Sequence, residues 1–201
     1  DAPLIVDCGA NVGLSVIFFK RIFPNAKIVA YEADPSIFQM MQKNLSTFNL
    51  DDCIIENKAV WIDNTTVTFD ATGALGGSLV GSDINVTSTV ISVKAIRLKD
   101  VLKDLIKQDS KIDFLKIDIE GAEFKILLDC EPELKSIQNI FVEFHREKDG
   151  NERIGEYLTI LERAGFSLYI KEAWNNMPKP LLYNEYNPKF DLQINVFGYR
   201  K

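Results

Sequence analysis

The sequence of 201 residues is poor in the side chains that build metal clusters and disulfide frameworks. It has a single histidine, His145, and three cysteines, Cys8, Cys53 and Cys130, none of which belongs to a CxxC pair. An odd number of scattered cysteines is not a disulfide framework, and it favours reduced thiols in a cytoplasmic protein. The sequence also has no apolar run close to the roughly 18 residues of a transmembrane helix, so we expect no membrane span.

Positive charge is scarce as well. Lysine and arginine number 23 against 29 aspartates and glutamates, so the formal net charge is −6, and the isoelectric point is about 4.9. Domains that bind nucleic acid usually carry a basic surface, and we therefore expect no nucleic-acid partner. The length suits a domain with a sizeable core, and we expect a single domain over residues 1–201.

The most informative pattern occupies residues 4–32. A short apolar strand ends at Asp7, a loop with Gly9 and Gly13 follows, and a helix and a second strand lead to Glu32. The glycines let the backbone approach a ligand, the helix N-terminus offers N–H groups, and the acid can accept hydrogen bonds from two ribose hydroxyls. The alternative is a tight turn without a ligand, but the 19-residue spacing from Gly13 to Glu32 favours a nucleotide-type site.

The glycine pattern distinguishes between ligands. A dinucleotide site has the pattern G-x-G-x-x-G, in which the middle glycine makes room for a pyrophosphate. Here the pattern is Asp7-x-Gly9-x-x-x-Gly13, which lacks that glycine. A carboxylate at the mouth, Asp7, would repel a pyrophosphate but suits a ligand that bears an ammonium group. S-adenosylmethionine has an ammonium group and a ribose and no phosphate.

The order of predicted elements points to one edge of a sheet. Strands and helices alternate and a hairpin ends the chain, which predicts a mostly parallel sheet with helices on both faces. Ligands of such sheets bind outside the carboxyl ends of the strands. Five polar residues follow or end predicted strands, and we expect them to converge at that edge: Asp7, Glu32, Asp118, Glu143 and His145.

Four stretches carry a resemblance to a known family. VDCGANVGLS and the following VAYEADP resemble motif I and the acidic loop of class I S-adenosylmethionine-dependent methyltransferases. FLKIDIEGAE (residues 114–123) and VEFH (residues 142–145) resemble the FkbM-type family. The resemblance covers most of residues 4–145. It implies a Rossmann-like fold with a mostly parallel seven-stranded sheet and an antiparallel last strand, and an N-terminal extension ahead of Asp1.

The resemblance also implies the cofactor, S-adenosyl-L-methionine, and where it binds. Glu32 would contact the ribose, the adenine would lie near residues 57–59, and Asp118 would lie close to the methionine end. The cofactor-binding residues that we expect are Asp7, Gly9, Ala10, Asn11, Gly13, Glu32, Asn57, Ala59 and Asp118.

His145 is the candidate general base for methyl transfer to a hydroxyl. It comes two residues after Glu143, so the two side chains share a face if the strand continues. A group with a near-neutral pKa is well suited to remove the hydroxyl proton as the methyl group arrives. We expect Asp118, Glu143 and His145 to be catalytic, with Glu143 orienting the imidazole or contacting the acceptor.

Several alternatives stay open at this point. The same three side chains could hold a divalent cation, for which Mn²⁺ or Zn²⁺ is better suited than Mg²⁺, although we favour a metal-free base. The predicted reaction is O-methylation of a hydroxyl on a small molecule, sugar or glycan. The competing functions are an NAD-type nucleotide-binding oxidoreductase and a catalytically inactive Rossmann-like binding module. The acceptor and the oligomeric state are not predicted.

The stretch between the third and fourth main strands is the least regular. We expect a strand over residues 54–61, a hairpin turn at Asp63 and Asn64 leading to residues 67–69, and a strand over residues 90–96 that returns to the main sheet. The glycine-rich residues 72–78 are either a lid over the cofactor or a flexible connection. Residues 174–187 are expected to form a loop.

Overall fold

A computed structural model describes residues 2–70, 78–79, 90–147, 153–174 and 190–201. The elements of the first half are β1 (Leu4–Cys8), α1 (Leu14–Ile22), β2 (Lys27–Glu32), α2 (Pro35–Thr47), β3 (Ile54–Asn57), β4 (Ala59–Trp61), β5 (Thr66–Asp70), β6 (Ser78–Leu79) and β7 (Val90–Arg97). The second half contains α3 (Leu98–Asp109), β8 (Ile112–Ile117), α4 (Glu123–Cys130), a 3₁₀ turn (Glu133–Ser136), β9 (Ile137–Glu147), α5 (Ile154–Arg163), β10 (Ser167–Trp174) and β11 (Phe190–Tyr199). The glycine-rich residues 72–77 and residues 175–187 of the expected loop lie outside the described residues.

The main sheet has seven strands in the order β10-β11-β9-β8-β1-β2-β3. Neighbouring strands are parallel from β3 to β9, and β11 is antiparallel to both of its neighbours. This arrangement confirms the predicted mostly parallel sheet with an antiparallel last strand. The strand order reverses between β1 and β8, and sheets of this kind bind ligands in the crevice at such a reversal.

Helices cover both faces of this sheet. β1 is buried along its whole length, as is typical of a central parallel strand. Its residue Ile5 packs in one apolar cluster with Val16 of α1 and Met41 of α2. The next residue, Val6, packs in the other cluster, which includes Leu102 of α3 and residues of α4 and α5. Because alternate side chains of a strand lie on opposite faces, α1 and α2 cover one face and α3, α4 and α5 cover the other.

The helices are short, and the longest, α2, has 13 residues. Within the described part of the chain, no helix has the length and apolar character that crossing a membrane requires.

Four strands form a second sheet, in the order β4-β7-β5-β6. β4 is parallel to β7, and β5 is antiparallel to it. β7 therefore lies between the two strands that we expected to form a hairpin at Asp63 and Asn64, and it does not return to the main sheet. Both expectations are wrong. The strand expected over residues 54–61 is also divided, because β3 belongs to the main sheet and β4 to the second sheet.

The division between β3 and β4 has a local cause. The side-chain amide of Asn57 donates hydrogen bonds to the carbonyls of Glu32 and Ala33, at 2.9 and 3.0 Å. These bonds fasten the end of β3 to the end of β2, and the chain leaves the main sheet at Lys58, between the two strands. The polar residues 56–58 separate two short apolar runs at this point, a break that the expectation of one strand over residues 54–61 overlooked.

Candidate active site

Polar residues from three strands do meet at one edge of the main sheet. Glu32 ends β2, and Asp118 directly follows β8. Ile117, the last residue of β8, pairs with Val142, so β9 continues past the end of β8. Glu143 lies in that continuation, beside the position of Asp118.

His145 belongs to the same overhanging part of β9. The strand runs through to residue 147, which confirms that Glu143 and His145 share a strand face. The atoms of these two residues and of Asp118 that could bind a cation all lie within 4.8 Å of one another. The three residues predicted to carry the chemistry are therefore brought together. Their catalytic roles stay a prediction.

The glycine loop between β1 and α1 is anchored to the end of β2. The N–H groups of Gly9 and Ala10 donate to the Tyr31 carbonyl at 3.0 and 2.9 Å. The Asn11 N–H donates to a carboxylate oxygen of Glu32 at 2.9 Å. Three successive amides of the loop are therefore engaged by β2.

The last two N–H groups of the loop bond inside it. The Val12 N–H donates to the side-chain oxygen of Asn11 at 2.7 Å, and the Gly13 N–H donates to the Ala10 carbonyl at 2.9 Å. All five amides of residues 9–13 thus have acceptors in the protein. A phosphate cradle needs N–H groups that are directed at the ligand, so these five amides do not form one.

Gly9 and Gly13 are required by contacts within the protein. Both have positive φ angles, 81° and 86°, which confirms the tight turn predicted from the sequence. A Cβ atom on Gly9 would lie 1.8 Å from the carbonyl oxygen of Asp118, and one on Gly13 would lie 2.9 Å from Cγ of Met41. Gly9 therefore permits a close approach to the backbone after β8, and its close approach to a ligand stays a prediction.

Glu32 is held firmly at the end of β2. Its two carboxylate oxygens accept the N–H groups of Asn11 and Asp34, at 2.9 and 2.8 Å. Burial raises the pKa of the Glu32 carboxyl, while these two N–H groups act in the opposite direction. Each carboxylate oxygen can accept a further hydrogen bond, so Glu32 still has the capacity to bind two hydroxyl groups.

Asn57 and Ala59, the residues expected beside an adenine, lie near the same end of β2. The Asn57 amide bonds to the Glu32 carbonyl. Ala59 is buried in a small apolar cluster with Ala33 and Trp61 packed around it. Their contact with an adenine stays a prediction.

Asp7 is paired with a lysine that the sequence analysis missed. Its side chain is fully buried and accepts a hydrogen bond from the Ser15 hydroxyl. Lys116 Nζ lies 3.3 Å from Asp7 Oδ1, an ion-pair distance rather than a well-directed hydrogen bond, and 3.3 Å from Asp118 Oδ2. The same ammonium donates to the Gly9 carbonyl at 2.8 Å. The Asp7 carboxylate is therefore already engaged within the protein, and its contact with the ammonium of a ligand stays a prediction.

Lys116 carries its charge inside the sheet. Burial alone would lower the pKa of its ammonium, but the charges of Asp7 and Asp118 outweigh burial and raise this pKa. The sequence does contain a signal for this pairing, since Lys116 is the single basic residue of a central, otherwise mostly apolar strand, β8. A lysine there has to find buried partners.

His145 is surrounded by carboxylates. Its side chain is 1% exposed, and Nδ1 lies 2.9 Å from Glu123 Oε1. Nε2 lies 3.5 Å from Glu143 Oε1 and 3.7 Å from Glu120 Oε2. Burial alone would lower the pKa of this imidazole, but Glu123, Glu143 and Glu120 raise it to about 10. The near-neutral pKa that we expected for a general base is therefore wrong, because the neighbouring carboxylates stabilise the protonated ring.

Two of these carboxylates, which the sequence analysis also missed, come from the segment after β8: Glu120 lies in the loop, and Glu123 is the first residue of α4. Glu123 accepts the N–H groups of Gly121 at 3.0 Å and of Ile119 at 3.3 Å, so the protein backbone fixes it. Positive φ angles at Glu120 (59°) and Gly121 (107°) keep these two residues out of α4, which begins at Glu123. Three acids within the short stretch DIEGAE were the available signal.

Comparison with known proteins agrees with this geometry. The chain matches the methyltransferase FkbM domain over residues 7–168. The methyltransferase sdnD of Sordaria araneosa is 30% identical, in an alignment that covers 83% of this chain and 74% of that protein. The 31-O-demethyl-FK506 methyltransferase FkbM of Streptomyces tacrolimicus is 23% identical, in an alignment that covers 84% of this chain and 74% of that protein.

A solved structure has the same fold. The N-terminal domain of EvdMO1, determined with S-adenosylhomocysteine bound, superposes with a TM-score of 0.54 and 11% identity, over 100% of this chain and 75% of that one. The domain match spans most of the sequence, and the acidic edge of the sheet lies within the matched residues. The chain therefore belongs to the FkbM methyltransferase family.

Proposed function

We propose that this methyltransferase uses S-adenosylmethionine and transfers the methyl group to a hydroxyl of a small molecule or glycan. The observation that carries the proposal is the glycine loop, in which all five amides of residues 9–13 are engaged next to the Glu32 carboxylate. A ligand with a ribose and no phosphate suits such a site. A dinucleotide does not, because its pyrophosphate would find no N–H groups among these five amides.

The residues at the edge of the sheet fit this cofactor. Glu32 would accept hydrogen bonds from the ribose hydroxyls, and Asn57 and Ala59 would border the adenine. Asp118 would lie close to the methionine end, with residues 9–13 forming the wall between the two ends. Asp7 would act only indirectly, because its carboxylate holds Lys116 and Ser15. The cofactor, when bound, supplies a methyl group made electrophilic by a sulfonium.

The names of related proteins support both parts of the proposal. The EvdMO1 domain was solved with S-adenosylhomocysteine, which is what the cofactor becomes after it has donated its methyl group. The relative from Streptomyces tacrolimicus is named for a 31-O-demethyl compound, and its methylation is therefore at an oxygen.

In the proposed transfer step, the acceptor hydroxyl would lie beside Asp118 and Glu143. The hydroxyl oxygen forms a bond to the methyl carbon, and the bond between that carbon and sulfur breaks with its electron pair left on sulfur. The hydroxyl proton has to leave at the same time. Because His145 already holds a proton in this carboxylate-rich environment, we assign the receiving group to the carboxylates around it rather than to the imidazole.

Calorimetry with purified protein tests the proposal. We expect S-adenosylhomocysteine to bind and NAD to show no heat of binding under the same conditions. Transfer of a labelled methyl group to a panel of hydroxylated sugars and polyketides, followed by mass spectrometry of the product, then identifies the methylated atom. Binding of NAD in place of S-adenosylhomocysteine would overturn the cofactor assignment, and a methyl group found on nitrogen or carbon would overturn the O-methyl assignment.

A further inference from the structure

Negative charge is concentrated around His145. Four carboxylates contribute to it: Asp118, Glu120, Glu123 and Glu143. Two cations stand against these four carboxylates in the metal-free protein: the protonated ring of His145 and Lys116, whose ammonium is shared with the buried Asp7. Carboxylates gathered in a partly buried site are costly unless a cation compensates them. The protein therefore provides a place for a cation beside the imidazole.

The orientation of His145 is an independent observation that points in the same direction. Nδ1 is fixed by Glu123 at 2.9 Å, and Glu123 is itself fixed by the Gly121 N–H. On its other side the ring contacts Phe190, with the centroids 4.9 Å apart. A carboxylate that receives one ring N–H of a histidine is the usual support for a metal ligand, because it leaves the other nitrogen to bind the ion.

That other nitrogen faces the acidic group. The distances from Nε2 to Glu143 Oε1 and Glu120 Oε2, 3.5 and 3.7 Å, exceed the roughly 2.7–3.2 Å of an N–H···O hydrogen bond. An ion between Nε2 and the carboxylates would replace the proton that Nε2 holds in the metal-free protein, and the ligand atoms would move to roughly 2.1 Å from the ion.

We propose that Asp118, Glu143 and Nε2 of His145 bind one divalent cation. The inference rests on the proposed function, because the ion would lie where the acceptor hydroxyl is expected. The three ligand atoms lie within 4.8 Å of one another, slightly more than the roughly 3–4 Å between two ligands that are each about 2.1 Å from one ion. The Asp118 and Glu143 side chains are 30% and 24% exposed, so both can move inward by the small remaining distance.

The ligand set selects the kind of ion. Two carboxylates and one imidazole suit Mn²⁺ or Zn²⁺, whereas Mg²⁺ prefers a shell made of oxygen atoms. An ion at this position would favour loss of the proton from an acceptor hydroxyl beside it. It would also neutralise part of the acidic group. This assignment replaces the metal-free imidazole base that we favoured from the sequence.

Direct metal binding tests the proposal without any methyl transfer. Protein freed of metal with EDTA is titrated with MnCl₂, and free Mn²⁺ is followed by electron paramagnetic resonance. We expect one Mn²⁺ per chain, weaker binding of Mg²⁺, and a loss of affinity of about tenfold or more in Glu143→Gln and His145→Gln. Pulsed spectra should show coupling to one nitrogen in the wild type and none in His145→Gln. The control Glu131→Gln, in a surface pair with Arg163, should bind Mn²⁺ like the wild type.

Two results would overturn the inference. One is the absence of saturable Mn²⁺ or Zn²⁺ binding, and the other is equal affinity in the wild type and Glu143→Gln. Glu143 is partly exposed, so this variant decides the matter even if the buried His145→Gln fails to fold. A further result would also contradict it: if EDTA leaves methyl transfer unchanged and only cationic acceptors are methylated, an ammonium group of the substrate takes the place of the ion. Calorimetry with S-adenosylhomocysteine in EDTA separates the two proposals, because it reports on the cofactor site alone.

Discussion

The Glu32 carboxylate accepts the backbone N–H of Asn11 at 2.9 Å, across 21 residues of sequence. This bond joins the acid at the end of β2 to the middle of the glycine loop. The Glu32 side chain thus holds the glycine loop in place, and it is also the group that we propose to bind the ribose. Its two roles can be separated by measuring folding and binding on the same variants.

Replacing Glu32 should weaken cofactor binding. Glu32→Ala removes two charge-assisted hydrogen bonds to the ribose. The binding free energy of S-adenosylhomocysteine should therefore become less favourable by roughly 2–4 kcal/mol, which appears as a higher Kd. Calorimetry gives the affinity, and thermal unfolding shows how much of the loss comes from a loosened loop. The surface variant Glu131→Gln is the control. If Glu32→Ala binds as tightly as the wild type, the ribose assignment is wrong.

Gly9→Ala should destabilise the fold itself. The added Cβ would meet the Asp118 carbonyl oxygen at 1.8 Å, and the backbone φ of 81° is strained for alanine. We expect a loss of about 2–4 kcal/mol in the free energy of unfolding, measured in urea. The matched control is Gly155→Ala in α5, where a Cβ has no atom within 4 Å and alanine should stabilise the helix by about 0.4–1 kcal/mol. A fully stable Gly9→Ala would contradict the close approach.

Removing the ammonium of Lys116 should destabilise the fold, because the buried carboxylate of Asp7 would lose its counter-charge. Lys116→Met leaves Asp7 as a fully buried carboxylate beside Ser15, and we expect a loss of about 3–5 kcal/mol in the free energy of unfolding. The double variant Asp7→Asn with Lys116→Met should lose much less than the sum of the two single variants. Urea unfolding of all four proteins completes the cycle. Additive losses would show that the two groups do not interact.

The single histidine allows its titration to be observed directly. In protein kept free of metal by EDTA, the His145 ring signals in proton NMR should titrate near pH 10 rather than near 6.5. The folded state has the higher pKa, so protonation of His145 stabilises the fold fully below about pH 6.5. That contribution is lost as the pH rises through about 10. A midpoint near 6.5 would show that the surrounding carboxylates do not hold the proton.

The sheet and its acidic edge were predictable because their signals are local. Most strands of the main sheet contain a short apolar stretch that stops at polar or turn-forming residues, and Glu32, Asp118 and His145 follow from where those stretches stop. The second sheet was not predictable in this way. β4 pairs with β7, more than 30 residues further along the chain, and a short apolar run carries no information about so distant a partner.

The chemistry of the site was harder to predict than its location. The pKa of His145 depends on Glu120 and Glu123, which reach it only because positive φ angles fold the loop after β8 back toward β9. Likewise, the sequence motif shows that Asp7 stands at the end of the first predicted strand, but it does not show that the Asp7 carboxylate pairs with Lys116 of a different strand. Both misjudgements concern charges that are close in space and distant in sequence.

The bonds of residues 9–13 also determine how a ligand is admitted. A wall whose amides are already satisfied needs no rearrangement when a ligand arrives, and little conformational entropy of the protein is lost there on binding. Association at this wall is then governed by the shape and the hydroxyl groups of the ligand. The same wall should disfavour a phosphate, because an anion that gives up its hydration would find every N–H group of residues 9–13 already bonded within the protein.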